Sequence, residues 1–284
     1  MQRQVAQIEE FNLGREAKFK GDLQETTLYL VHELAEEKLA SSADELKTKL
    51  GLKAVKTCLL KNLDELLQID KSQLMIYSTH LSLDKEIVTH QEISSWALKN
   101  NIFQLNPYNK IAKIFDDKYL FYVLMVANDI LQPYTISLFK KGAYIDGYEL
   151  DKLYQFPELI IKPRHGTENI DTKKIKLSEF DIEHELISKI RRYDDCLVQE
   201  AIDIAKEHKL IYLNGKCFSM LEPSQGLKDI VMEFVDLIDQ YASKNEIIMP
   251  GIFTMDILEA TNNKFYFLEA NIRPAAIYRF QFKL

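Results

Sequence analysis

The sequence predicts two architectures in succession, an α/β layer before Asn106 and a larger α+β region after it. The first is predicted by short β-branched and aromatic runs, TTLYLV, AVKTCLL and QLMIYST, which alternate with longer polar segments of helical period. The second is predicted by a change at Asn106-Pro107, beyond which a long helical segment leads into strands that return on themselves as hairpins. At 284 residues, 46% hydrophobic and 28% charged, the chain can bury a sizeable core and divide into two or three subdomains.

In the first region the helical segments are ELAEEKLASSADELKTKL and DKEIVTHQEISSWALKNN. Their alternation with strands points to a mostly parallel sheet, because parallel neighbours need a crossover between them. KIAKIFDDKYLFYVLMVAND is expected to form one helix that ends before Pro133. The strand YTISLF follows, then LIIKP, the polar stretch RHGTENIDTKKIKL, a helix at SEFDIEHELISKI and the strand CLVQEAI. KLIYLNGKCFSML reads as a hairpin turning at Asn214-Gly215, a dipeptide suited to the positive φ values of a type I′ turn. After a helix near LKDIVMEFVDLIDQYA comes GIFTMDILEATNNKFYFLEAN, read as a second hairpin with Thr261 to Lys264 as a four-residue loop. The domain boundaries on this reading are 1–105, 106–195 and 196–284.

A formal net charge of −7 argues against a general nucleic-acid or anionic-membrane surface. The longest apolar run, in LFYVLMVAN, is too short to span a bilayer, and the N-terminal segment lacks the apolar core of a signal peptide, so a cytoplasmic location is expected. Cys58, Cys196 and Cys217 are widely separated without CxxC spacing and read as buried, reduced thiols. The six histidines show no metal-ligand spacing. Neither GxGxxG nor GxxxxGK[ST] occurs, so the first region is not expected to hold a nucleotide by itself.

The chemistry concentrates in KFYFLEANIRP, where a strand too apolar to face water runs into Glu269, Asn271 and Arg273. A four-residue loop sets Ala260 opposite Phe265 and therefore Asp256 opposite Glu269, two like charges that destabilise a sheet. Asn271 projects from the same face as Glu269, because side chains alternate along a strand. Two carboxylates and an amide oxygen form a donor set for Mg²⁺; the other reading pairs the acids with Arg273 or a lysine. Lys162 leaves an apolar strand beside a polar loop and is a candidate phosphate contact. In VQEAIDIAKEHK, a strand that exposes Gln199 and Glu200 and then breaks pattern reads as a hinge for a planar base edge. Glu207 is placed to meet a ribose hydroxyl and Lys209 a phosphate, the competing reading being a solvated edge strand.

Taken in order from Asn106 to Pro274, these pieces resemble the ATP-grasp superfamily of ATP-dependent carboxylate–amine ligases, with a glutathione-synthetase-like ATP-binding domain. The resemblance implies an N-terminal α/β pre-grasp domain followed by a two-subdomain ATP-grasp fold, with ATP and Mg²⁺ as cofactors. It also implies that Lys118 and Lys162 contact ATP phosphates, that Gln199, Glu200, Ala201 and Ile202 form the adenine hinge, and that Glu207 and Lys209 meet ribose and phosphate. Asp256, Glu269 and Asn271 match the magnesium ligands, and Arg273 resembles the arginine near the acyl phosphate or the substrate carboxylate. Three features depart from the pattern: Gly166 is the lone glycine in the loop after Lys162, FSMLEP stands where relatives often carry a further arginine, and thirteen residues follow Asn271.

The implied reaction phosphorylates a substrate carboxylate and transfers the acyl group to an amine. Lys162 and Arg273 face the developing charge, and the loop at 163–171 excludes water. The partners expected are a small-molecule or peptide carboxylate and an amine, with neither nucleic acid nor membrane; self-association is left open. The competing readings are an ATP-grasp kinase or nucleotide-binding regulator, and an interaction protein whose acidic patch docks a basic surface.

Overall fold

The computed structural model describes residues 9–13, 19–32, 38–79, 86–139, 152–165, 172–176, 195–219 and 221–272. The chain forms two compact units, one comprising Met1–Lys113, Lys209–Met255 and Ala270–Leu284, the other Ile114–His208 and Asp256–Glu269. The expected helix at SEFDIEHELISKI, most of the 163–171 loop and Arg273 lie outside the described residues.

The first unit opens with the short strand β1 (Glu9–Asn12) and then builds a parallel sheet from β2 (Thr27–His32), β3 (Ala54–Leu59), β4 (Leu74–Ser78) and β5 (Phe103–Gln104). The spatial order is β3-β2-β4-β5, and each neighbouring pair is parallel, as the alternating pattern requires. Helix α1 (Lys38–Leu50) crosses from β2 to β3, and α2 (Glu86–Lys99) from β4 to β5. All five residues of β4 are buried, the mark of an inner strand covered on both faces. One side packs Leu28, Leu30, Met75 and Tyr77; the other packs Val31, Leu74, Ile76 and Ile93.

Where the architecture changes, Asn106 is fixed by buried polar contacts. Its Oδ1 accepts from the Ser78 amide at 2.9 Å and its Nδ2 donates to the Ser78 carbonyl at 2.9 Å. Gln104 Nε2 donates to Ser78 Oγ at 2.8 Å. The same unit carries, from Lys209 onward, a hairpin of β10 (Ile204–Leu213) and β11 (Lys216–Ser219), turning at Asn214 and Gly215 with φ of 44° and 87°, as the Asn-Gly pair predicts. β1 pairs antiparallel with the outer edge of β11. A long helix at Gln225–Lys244 is capped by Ser224 and buries Leu227, Val231, Phe234, Val235 and Ile238 along one stripe.

The second unit begins where one long helix was expected. Two form instead: α3 (Lys110–Asp116) and α4 (Lys118–Val126), separated by Asp117 in an extended conformation with φ −107° and ψ 98°. The Asp117 carboxylate accepts the amides of Tyr119 and Leu120 at 3.0 and 3.1 Å, so the break is stabilised as a new N-cap. The long helix at 225–244 is therefore α5. An antiparallel sheet follows, with β6 (Thr135–Phe139), β7 (Glu158–Pro163), β8 (Lys173–Lys176) and β9 (Asp195–Glu200) in the order β6-β9-β7-β8. Ile136, Leu159, Ile161, Ile175 and Val198 form its core.

β12 (Ile252–Ala260) and β13 (Phe265–Asn271) complete a five-stranded sheet of order β1-β11-β10-β12-β13. Their turn differs from the expected four-residue loop. The Asn263 amide donates to the Ala260 carbonyl at 2.9 Å, the Ala260 amide donates to the Lys264 carbonyl at 2.8 Å, and Asn263 has φ 61°. This is a three-residue loop closed by a type I turn and a bulge, so Ala260 faces Lys264 and not Phe265. Among the described residues no helix is long and apolar enough to cross a membrane.

Candidate active site

Lys162 sits near the end of β7 and is 8% exposed. Its ammonium donates to Gln199 Oε1 at 2.9 Å, Gln199 Nε2 donates to Thr135 Oγ1 at 2.8 Å, and that hydroxyl donates to the Pro133 carbonyl at 2.9 Å. Gln199, expected to be exposed, is instead buried, because β9 lies inside the sheet between β6 and β7 and its side chain is held from both neighbours. The amide satisfies Lys162 without neutralising it. Burial pushes Lys162 from 10.5 down to about 8; Glu269 opposes the fall and Lys118 adds to it. A buried ammonium with a neutral partner is costly in an empty fold and favourable beside an anion.

Lys118 is the first residue of α4 and half-buried. A cation at a helix N-terminus opposes the helix dipole, so helix stability does not explain a lysine there. Burial lowers its pKa, with the charges of Glu269, Asp116 and Asp117 working the other way. Lys118 and Lys162 thus share the field of Glu269, in β13, and Lys162 also feels Lys118. Two ammoniums and the Glu269 carboxylate come from three separate elements of this unit, with Asp116 and Asp117 adding negative charge beside Lys118.

Asp256, Glu269 and Asn271 are each half-buried near the far end of the hairpin from its turn. The turn's pairing, carried along the strands, sets Leu258 against Tyr266, and both belong to one apolar cluster with Ile202, Ala260 and Leu268. The alternation of β12 then breaks, since Ile257 and Leu258 are both buried. At the far end Thr254 Oγ1 reaches the Asn271 carbonyl at 3.5 Å. Carried on unbroken, the same pairing sets Asp256 opposite Leu268, one residue away from the Glu269 partner that a four-residue loop would give. The oxygen donors suit a hard divalent cation, and the neighbouring lysines suit the phosphates such a cation accompanies. Among the described residues no three His, Cys, Asp or Glu side chains converge.

The expected hinge follows β9. The Glu200 carboxylate accepts the Tyr134 amide at 3.1 Å, the Glu200 amide donates to the Tyr134 carbonyl at 2.8 Å, and the Ala201 amide donates to the Glu158 carbonyl at 3.1 Å. Ile202 is buried against Leu258 and Ala260, with Tyr266 and Leu268 half-buried beside them. Glu207 and Lys209 are exposed on β10, with His208 between them turned to the opposite face and 4% exposed. His208 Nε2 lies 2.8 Å from Glu259 Oε2. Asp117, Thr135 and Arg164 also belong to this neighbourhood, and none is marked by a sequence motif.

No family model matches the sequence, and none of the curated proteins matches it. The fold does have solved counterparts. The structure is similar to that of D-cycloserine synthetase, with a TM-score of 0.61 and 10% identity over 87% of this chain and 92% of that one. It is also similar to D-alanine–D-alanine ligase from Bacillus anthracis, with a TM-score of 0.56 and 16% identity over 87% and 86% of the two chains. The chain has the ATP-grasp fold. A further ATP-grasp structure, an ADP complex of N5-carboxyaminoimidazole ribonucleotide synthetase, matches with a TM-score of 0.59 and 10% identity over 92% of this chain and 72% of that one. The mixed α/β and α+β architecture expected from the sequence is thus the one the ATP-grasp structures share.

Proposed function

We propose that this ATP-grasp chain is an ATP-dependent carboxylate–amine ligase acting through an acyl phosphate. The observation that carries the reading is the buried, amide-held Lys162 sharing the field of Glu269 with Lys118. Support comes from the neighbours, which include ligases and synthetases solved with ADP and with ATP.

In this reading Lys118 and Lys162 bind the ATP phosphates, and Gln199 holds the Lys162 ammonium on its rail. The main chain from Glu200 to Ile202 meets the adenine edge, with Tyr266 and Leu268 offering half-buried apolar surface to the ring. Glu207 takes the ribose and Lys209 a phosphate. Asp256, Glu269 and Asn271 would hold Mg²⁺, which when bound shields the phosphate oxygens and draws off charge in phosphoryl transfer. The substrate carboxylate oxygen attacks the γ-phosphorus and the bond to the ADP oxygen breaks; the amine nitrogen then attacks the acyl carbon, the bond from that carbon to the phosphate oxygen breaks, and phosphate leaves as the nitrogen gives up a proton. Arg273 is assigned to the substrate carboxylate. The acid is a small molecule or a peptide carboxylate.

The test is ADP release against pooled acids and pooled amines, with hydroxylamine as a trap. A signal needing one member of each pool, and a hydroxamate when hydroxylamine replaces the amine, is the expected result. ADP release on an alcohol with no hydroxamate would identify a kinase and overturn the ligase reading.

A further inference from the structure

Two residues outside the phosphate-binding pair connect the elements that carry it. Arg164 lies two positions after Lys162, and Asp117 immediately precedes Lys118. They are 47 positions apart in sequence and meet as a two-point fork: Arg164 Nε donates to Asp117 Oδ1 at 2.8 Å and Nη2 to Oδ2 at 2.7 Å. The side chains are 14% and 10% exposed. Parallel hydrogen bonds of this kind fix orientation as well as distance, which a lysine in either place cannot do.

Other contacts hold the fork at both ends. The guanidinium lies 5.6 Å from the ring centre of Tyr119, so α4 supplies both the carboxylate and an aromatic face. On the sheet side, the Arg164 amide donates to the Asp195 carbonyl at 3.4 Å, and Nη1 stands 4.0 Å from Asp195 Oδ2. Asp117 is meanwhile the N-cap of α4, so the oxygen that caps the helix also receives the arginine. Burial alone would raise the Asp117 carboxyl; the Arg164 fork and the Leu120 amide reverse that and hold it below the usual carboxylate range.

We infer that Arg164 and Asp117 form a positioning clamp that sets the first turn of α4 against the end of β7, so that the Lys118 and Lys162 ammoniums are spaced in advance for one polyphosphate. Neither clamp residue touches the nucleotide in this account. Each acts through the lysine beside it. Like-charged ammoniums repel, and without a tie the helix end is free to carry Lys118 away. The proposal rests on the nucleotide reading above and adds to it the residues that impose the spacing.

The experiment is a double-mutant cycle on Mg-ADP affinity, measured by calorimetry on the full chain with wild type, Arg164→Met, Lys118→Met and the double variant. Arg164→Met is expected to weaken Mg-ADP binding about tenfold or more, because small misplacements of binding groups are costly. Lys118→Met should cost much less in the Arg164→Met background than in wild type. Asp117→Asn, which keeps the cap oxygen and loses the charge, should reproduce the Arg164→Met loss. Arg164→Lys should fall between and also serves if the methionine variant folds poorly. Additive losses across the cycle, or wild-type affinity in folded Arg164→Met, would overturn the clamp and leave the nucleotide reading intact. A wild-type protein that does not bind Mg-ADP would remove both.

Discussion

A single buried ammonium sets the pH behaviour expected of this molecule. Lys162 stands at about 8 in the folded chain against an ordinary 10.5, the cause being burial beside a neutral amide. Between these values the unfolded chain holds a proton that the folded chain has released, so the contribution of Lys162 to stability rises with pH across that window. It is lost as pH falls through 8. Lys162→Met should therefore stabilise the nucleotide-free protein at pH 7 by about 1–2 kcal/mol, the relief of a charged buried group less the hydrogen bond that Gln199 loses. Nucleotide binding should move the other way, since the phosphates require the ammonium. Mg-ATP affinity in the wild type should be level below pH 7 and fall by about tenfold per unit above pH 8, and the methionine variant should show no such fall. Calorimetric titrations across pH 6.5–9.5 check the profile, and denaturant melts at pH 7 check the stability. A destabilised Lys162→Met that binds Mg-ATP normally would show the lysine to be structural.

The two hairpins show, at the scale of elements, what local chemistry reveals and what it hides. Asn214-Gly215 was legible because the residues that form its turn are the ones that tolerate positive φ. The second turn was misread by one residue because Asn263 takes the left-handed conformation itself, with no glycine to announce it. Asn263→Gly should be neutral or slightly stabilising, and Asn263→Val should cost about 1–2 kcal/mol in a denaturant melt. The far end of the same hairpin yields a reversal of sign. The register expected from a four-residue loop, with Asp256 facing Glu269, predicts that Glu269→Gln relieves repulsion. Glu269, however, also lies in the field of Lys118 and Lys162 and raises both, so removing its charge should leave one half-buried and one buried ammonium less compensated. Glu269→Gln is expected to lower stability without ligand by about 1–2 kcal/mol and to weaken Mg-ATP binding as well. A variant more stable than wild type would show that repulsion between the acids dominates.

For the whole molecule, the parallel pairing of the first sheet and the ATP-grasp fold were legible because each rests on hydrophobic period or on ordered motifs, whereas the antiparallel order around Lys162 was not. β1 and β8 were not, since EEFN and KKIK are short and polar, and their strand character comes from the partners they pair with. The Arg164–Asp117 fork was invisible for a related reason: 47 positions separate its members, and each is an ordinary charged residue in its own stretch. The residues given to nucleotide follow the same division. Lys162 and Glu269 stand at the ends of periodic strands and could be picked out; Lys118, read as the middle of one long helix, stood out only through the family resemblance, and the inward turn of Gln199 depends on which strands flank β9. These dispersed contributions predict a property of the whole chain. Lys118, Lys162 and Glu269 belong to three elements widely separated in sequence, so the unfolded chain cannot assemble them and a ligand they share binds the folded state alone. Mg-ATP at a hundredfold excess over its Kd should then stabilise the protein by about 2.7 kcal/mol. Mg-AMP, with less charge to offer the two ammoniums, should stabilise it less, and Lys118→Met should narrow the difference between the nucleotides. Melting curves with each nucleotide at millimolar concentration decide the matter, and equal shifts with ATP and AMP would show that the lysines do not meet the phosphates.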